Sequence, residues 1–279
     1  MALKTILVHV EPSLRPSECI KVAAQLAIAD HAHLVGVSTT GLSALTLVGT
    51  GLNPGEAPLA SQLDASRADA RDSLAAFESQ ARSMGVTSVE SRLVHDEPGS
   101  ALVSHGRYAD LIVVGQTRAD GAPVLTVRKD FPEYLLLNGA RPLLMVPARG
   151  SFDTLGARIL VAWNGSLEAT RALTFAMSLL QRAQAVMVML INPGSDGMDE
   201  GVEPGADVGL YLARHGVRAE VTIKIGDEHD LELLDAISEC KADLLVMGAY
   251  GHSRLREYLL GGATRTILRS MTVPVWMAH

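Results

Sequence analysis

Short, unbroken apolar runs alternate with amphipathic stretches along the whole chain. Ile6-Leu7-Val8, Leu34-Val35-Gly36-Val37, Leu111 to Val114 and Leu143 to Val146 carry no polar side chain and are rich in β-branched residues. Runs this short and continuous predict strands covered on both faces, as in a parallel sheet. Between them, Ser17 to Ala29, Asp64 to Met84 and Gly99 to Tyr108 read as helices, as do Leu167 to Arg182, Ala206 to His215 and Asp230 to Cys240 later on. Strands alternating with helices predict an α/β chain of βαβ units forming open, doubly wound sheets. Such sheets bind ligands at the carboxyl ends of their strands, where the strand order reverses.

The pattern is written twice. KTILVHVEPS returns as ARILVAWNGS at Ala157 to Ser166, and HDEPGSALVSHGRYADLIVVG as GDEHDLELLDAISECKADLLVMG at Gly226 to Gly248. YLLLNGARPLLMVP returns as TILRSMTVPVWMA at Thr266 to Ala278. Three matches in one order imply two homologous halves, a first domain over residues 1–149 and a second over 156–279, joined near Arg149 to Leu155. The first half alone carries a glycine- and proline-containing insertion over 39–58. A stretch that long is a mobile or packing loop, a lid or a partner contact.

Composition narrows the class. Of 279 residues 48% are hydrophobic, which suits a packed core rather than a disordered chain. A formal charge of −7 offers no electrostatic footprint for nucleic acid or an anionic membrane surface. Cys19 and Cys240 stand far apart, outside any paired-cysteine spacing, and fit a reducing compartment. The first residues turn polar too soon for a signal peptide, and no uncharged apolar run is long enough to span a bilayer. The expected location is the cytoplasm.

The densest chemistry lies in LLVMGAYGHSRLREYLLGGAT, Leu244 to Thr264. An apolar strand ends at Gly248, Gly251 follows, and the pair Gly261-Gly262 precedes a helix. A strand, a glycine-bearing turn and a helix start free backbone N–H groups to hold phosphate, and a Cβ at these points would block a left-handed conformation or the approach of an anion. It is neither a Walker A loop nor GxGxxG. Asn164, Gly165 and Ser166 close the first strand of the same half. Asn164 could meet an adenine edge or a ribose hydroxyl, or serve the turn and the helix cap. Ile191, ending the second strand, would wall a base.

The first half keeps Gly115 but has Arg118 in place of Gly251 and no glycine pair. Arg128 and Lys129 could attract an anion there, yet the backbone cradle is lost, and that half reads as scaffold. His252 could touch phosphate, act as an acid or base, or be a hydrogen-bonded turn residue. Asp227-Glu228-His229-Asp230 resembles a metal-ligand string but sits where a helix start favours acidic groups. No Ser-His-Asp, HExxH or paired-cysteine spacing is readable, so neither catalytic nor metal-ligating residues are assigned.

ILVAWNGS, DLLVMGAYGHS and LLGGATRTILRSMTVPVWM together resemble the universal stress protein family in its tandem two-domain form. The family pattern is Gly, two residues, Gly, nine residues, Gly, then Ser or Thr, and Gly248, Gly251 and Gly261 fall in register with it. The next position is Gly262 rather than a hydroxyl residue, with Thr264 two residues on, and the family's usual Asp at the first strand end is Asn164. The resemblance implies two Rossmann-like (adenine nucleotide alpha hydrolase-like) domains, each a mostly parallel five-stranded sheet flanked by helices. It implies ATP, with or without Mg²⁺, bound by the second half through Asn164, Gly165, Ile191, Gly248, Gly251, His252, Gly261, Gly262, Ala263 and Thr264. It also implies a stress-response role with little turnover and pairing of the final strands of the halves as an intramolecular pseudo-dimer. A homodimer of tandem chains stays open. Two other functions also stay open: a slow ATPase or phosphoryl- or adenylyl-transfer enzyme, and a nucleotide-free scaffold binding a protein.

Overall fold

The computed structural model describes residues 2–11, 18–41, 57–116, 131–193, 204–226, 229–251 and 262–279. Contacts divide it into two units, Ala2–Arg141 and Pro142–His279.

The first unit holds β1 (Thr5–His9), α1 (Glu18–Asp30), β2 (His33–Thr39), α2 (Ala57–Ser83), β3 (Val89–Val94), α3 (Pro98–Gly106), β4 (Leu111–Gly115) and α4 (Phe131–Asn138). Its strands lie in the order β3-β2-β1-β4 and all pair in parallel. β1 and β4 are buried almost throughout, as unbroken apolar runs between helix layers must be.

The second unit opens with β5 (Leu143–Val146) and β6 (Arg158–Ala162), then α5 (Leu167–Phe175), α6 (Met177–Arg182) and β7 (Ala185–Ile191). It continues through α7 (Ala206–Arg214), β8 (Ala219–Lys224), α8 (His229–Glu239), β9 (Leu244–Gly248), α9 (Gly262–Ser270) and β10 (Val275–Ala278). The parallel ladder β10-β9-β6-β7-β8 repeats the order of the first unit with its fifth strand in place. β5 pairs antiparallel with β10, setting Leu144 opposite Trp276, so the final strands of the two halves do meet.

Matching carboxylates pin matching strands. Asp110 Oδ2 accepts from the N–H groups of Lys4 (2.7 Å) and Thr5 (3.0 Å). Asp243 accepts from Ala157 and Arg158, both at 3.0 Å. In each case the Asp preceding the fourth strand of a repeat satisfies the first amides of its first strand, which would otherwise lack partners. The repeated Ala-Asp of YADLI and KADLL is the sequence trace of this clamp.

The helices follow the sequence closely, with one break. The stretch read as a helix from Leu167 to Arg182 is two helices, divided at Ala176 (φ −81°, ψ −2°). Thr170 and Thr174 turn their hydroxyls back onto the carbonyls of Ser166 (2.9 Å) and Thr170 (2.8 Å), a bond that bends helices. α2 begins at Ala57, so the end of the 39–58 insertion is helical; most of the remainder lies outside the described residues.

Candidate functional site

In the second unit the chain order reverses between β6 and β9, which are neighbours with helices leaving in different directions. The carboxyl ends of these two strands make the crevice in which such sheets bind ligands.

From β6 the chain passes through Trp163, whose N–H donates to the Met189 carbonyl at 2.9 Å, and turns at Asn164. Asn164 Oδ1 accepts from the Ser166 N–H at 3.2 Å, and Gly165 takes φ +70°, open to glycine at little cost. Ser166 caps α5, its Oγ accepting from Ala169 N–H at 3.1 Å. The Asn164 oxygen is therefore engaged by the turn. Its carboxamide nitrogen, on an exposed residue, is the group with which it can meet a ligand.

From β9, the loop is pressed onto the start of α5. A Cβ on Gly248 would lie 2.5 Å from the Ala169 backbone nitrogen. One on Gly251 would lie 2.8 Å from Glu168 Oε2 and 3.5 Å from Ser166 Oγ. Gly248 is thus required by its close approach to backbone, whereas Gly251 lies against the movable end of a side chain. The left-handed residue of the turn is instead Tyr250, at φ +57°, a strained conformation for a bulky side chain. The Tyr250 N–H donates to Thr264 Oγ1 at 3.4 Å, and Thr264 is 6% exposed in the first turn of α9. That hydroxyl, read from the sequence as a phosphate contact, ties α9 to the glycine turn. The Ala249 N–H donates to the Ala278 carbonyl at 2.9 Å, and the Ala249 carbonyl accepts from His279 Nδ1 at 2.9 Å.

Because the Gly248 contact is with backbone rather than with a movable side-chain end, Gly248→Ala should force α5 off the sheet. It is expected to lower unfolding stability by about 1–3 kcal/mol, measured by urea denaturation of the whole chain. An unchanged midpoint would contradict the close approach.

Gly262 and Ala263 open α9, whose first turn carries no acidic residue, as an anion-binding helix start requires. Ile191 ends β7 half-buried. Asn192, at φ +46°, then clamps the neighbouring loop: its Oδ1 accepts from Gly226 N–H at 3.1 Å and its Nδ2 donates to the Gly226 carbonyl. His252, Gly261, Asp227 and Glu228 lie outside the described residues, as do Arg118, Arg128 and Lys129 of the first half. The first-half counterpart of the acidic string does cap a helix: Glu97 accepts from Ser100 N–H at 3.0 Å at the start of α3. Among the described residues no group of three or more His, Cys, Asp or Glu is arranged to hold a metal ion.

The equivalent place in the first unit is filled. Phe131, fully buried, opens α4 where Gly262 opens α9, and its ring packs on His9 at 5.4 Å and 47°. His9 ends β1 at 4% exposure, with Nδ1 3.5 Å from Glu11 Oε1. Burial pushes the Glu11 carboxyl up, but the hydrogen bond and charge of His9 outweigh it and hold the group below its ordinary value. Beside Gly115, burial and then the Glu11 charge push the buried Cys19 thiol up to about 12.

Three features of the site escape sequence reading. Glu168 brings a carboxylate against Gly251, His279 supports the turn from the far end of the chain, and Tyr250 carries the strained dihedral. The first two are convergences across the fold, without a local motif.

Residues 157–279 match the model of the universal stress protein family. The universal stress protein Slr1230 of Synechocystis sp. (strain ATCC 27184 / PCC 6803 / Kazusa) is 29% identical over 147 residues, covering 51% of this chain and 48% of that protein. The chain thus spans about half the length of the curated relative it matches. Among solved structures, a universal stress protein from Archaeoglobus fulgidus DSM 4304 matches 98% of this chain and 97% of its own, with TM-score 0.74 and 17% identity, and so shares its fold. Another from Archaeoglobus fulgidus, solved in complex with dAMP, covers 52% of this chain and 98% of its own, with TM-score 0.36 and 18% identity. The family match thus falls on the half of the chain that carries the glycine spacing at the end of β9.

Proposed function

We propose that the protein is a tandem universal stress protein that binds ATP through its second repeat and acts in stress response as a regulatory protein rather than by turnover. The reading divides the chain into a first repeat over 1–149, whose site is degenerate, and a second over 156–279, and places the protein in the cytoplasm. The carrying observation is the packing of Gly248 and Gly251 on the start of α5 at the β6–β9 switch point, beside the opening of α9. Gly251, Gly261, Gly262 and Ala263 would offer backbone N–H groups to phosphate, and His252 a side-chain donor. Asn164 and Gly165 would meet the nucleoside, and Ile191 the base. Thr264 acts by holding the turn.

The fit to a highly charged ligand has one condition. Glu168 opposes polyphosphate at Gly251, and a divalent cation on the phosphates would turn that repulsion into attraction. Magnesium-bound ATP is therefore the expected form, with Mg²⁺ held chiefly by phosphate oxygens. Calorimetry should give one ATP per chain, binding more tightly with Mg²⁺ than with EDTA, and Glu168→Gln should shrink that difference. Two sites per chain, or none, would contradict the reading. Filling of the first-unit position by Phe131 and His9 supports the single stoichiometry.

A further inference from the structure

β8 is the outermost strand of its unit, paired only with β7 among the described residues. An open edge presents a row of unpaired amides and carbonyls to any strand that can match it. The corresponding strand β3 is half-buried along its whole length, and its charges are engaged within the chain: Arg92 grips Glu90 at 2.6 Å and His33 meets the same carboxylate at 3.1 Å. Among the described residues β8 lacks that cover. Val221 and Ile223 of β8 and Ile225 just beyond its end alternate at 36%, 44% and 79% exposure, and Leu210 of α7 is 54% exposed.

The two faces of β8 are chemically distinct. Val221 is on the α7 face, since a Cβ on Gly209 would lie 3.4 Å from its Cγ2. Lys224 is on the α8 face, with Nζ 2.9 Å from Glu239 and 3.8 Å from Glu232. Alternation puts Ile223 and Ile225 with Val221, and Glu220 and Thr222 with Lys224.

We propose that β8 is a docking edge for a second copy of this chain, its β8 added antiparallel about a twofold axis through Thr222. In this register Val221 of each copy faces Ile223 of the other, and Ala219 faces Ile225. On the opposite face Glu220 of each copy faces Lys224 of the other, beside a central Thr222–Thr222 pair. Both faces match at once, which is what a self-complementary interface requires. Centring on Val221 instead would oppose Arg218 to Lys224, like charges. Any register shifted by one residue would set the apolar face of one strand against the charged face of the other. Centring on Ile223 would keep the apolar pairs but lose the Glu220–Lys224 pairing, so charge and hydrophobic pattern together favour the Thr222-centred register, and Leu210 adds apolar surface on α7.

Sedimentation equilibrium of the whole chain should show a dimer, and Ile223→Lys a monomer with unchanged circular dichroism and a melting temperature that no longer rises with protein concentration. Cysteine trapping tests the register independently. In a Cys240→Ser background, Thr222→Cys should form a disulfide-linked dimer on mild oxidation, because residues facing each other across an antiparallel pair are within disulfide reach. Glu220→Cys should not, since the two copies of that residue lie far apart along the strands. A monomeric wild-type chain, a dimer that survives Ile223→Lys, open-ended oligomers, or linking of Glu220→Cys as fast as Thr222→Cys would each overturn the proposal.

Discussion

Gly251→Arg is expected to abolish ATP binding, by at least about a hundredfold or ~2.7 kcal/mol, while the chain stays folded. The group nearest a Cβ at this position is Glu168 Oε2, at 2.8 Å, the movable end of a half-buried side chain rather than backbone. Glu168 can rotate away, or pair with the new guanidinium in a charge-assisted contact. The fold therefore has a way to absorb the change that it lacks at Gly248. In the proposed binding mode the ligand has none, because the arginine would occupy the volume beside the Gly251 N–H through which phosphate would approach. The substitution also copies the first half, where Arg118 holds the corresponding position. Calorimetry and a thermal melt on the same preparation decide the matter. Retained affinity would move phosphate away from Gly251, and a collapsed melt would make the position structural.

The inner strands were legible because burial on both faces removes every polar residue from them. β1, β2, β4 and β5 each contain the apolar run read from the sequence; β5 matches it, and the other three extend past it by one to three residues, His, Ser, Thr or Gly. β3 and β8 were not legible as individual strands. Edge strands meet solvent, so VESRLV and AEVTIK carry charges that blur the apolar signal. The helix boundaries shifted by a residue or two, apart from the earlier start of α2, and the break at Ala176 comes from threonine hydroxyls that a hydrophobic pattern does not weigh. At the site, Gly248 is held to glycine by the backbone of α5 and Gly251 lies against the end of Glu168, while the left-handed conformation expected of a glycine falls to Tyr250. Thr264 was marked for its hydroxyl, whose partner is a backbone amide of the same loop. Glu168 and His279 reach the glycine turn from α5 and from beyond β10, a convergence that exists only once β6, β9 and β10 lie side by side.

Bound ATP is expected to survive on the protein, with hydrolysis well below about 1 s⁻¹, the low end of ordinary enzyme turnover. Phosphoryl transfer needs developing charge neutralised and a nucleophile oriented in line. The described part of the site offers backbone N–H groups, a Thr264 hydroxyl already engaged by Tyr250, the Asn164 carboxamide and the Glu168 carboxylate. Glu168 is the one described carboxylate placed against the loop, and it lies beside Gly251, among the groups that would bind the phosphates in the ground state. A carboxylate there repels charge as it builds on transferring oxygens, unless a cation stands between. That cation would be the Mg²⁺ bound with the nucleotide; from Leu244 to Thr264 the chain adds no lysine, and Arg254 and Arg256 lie outside the described residues. Contacts that hold ground and transition states equally well lower no barrier. Mixing enzyme-free-grade protein with radiolabelled ATP and Mg²⁺ should return the nucleotide unhydrolysed over many minutes. Steady ADP release faster than that limit, lost in His252→Ala, would establish the enzyme reading in its place, with the histidine as the acid or base that the cradle otherwise lacks.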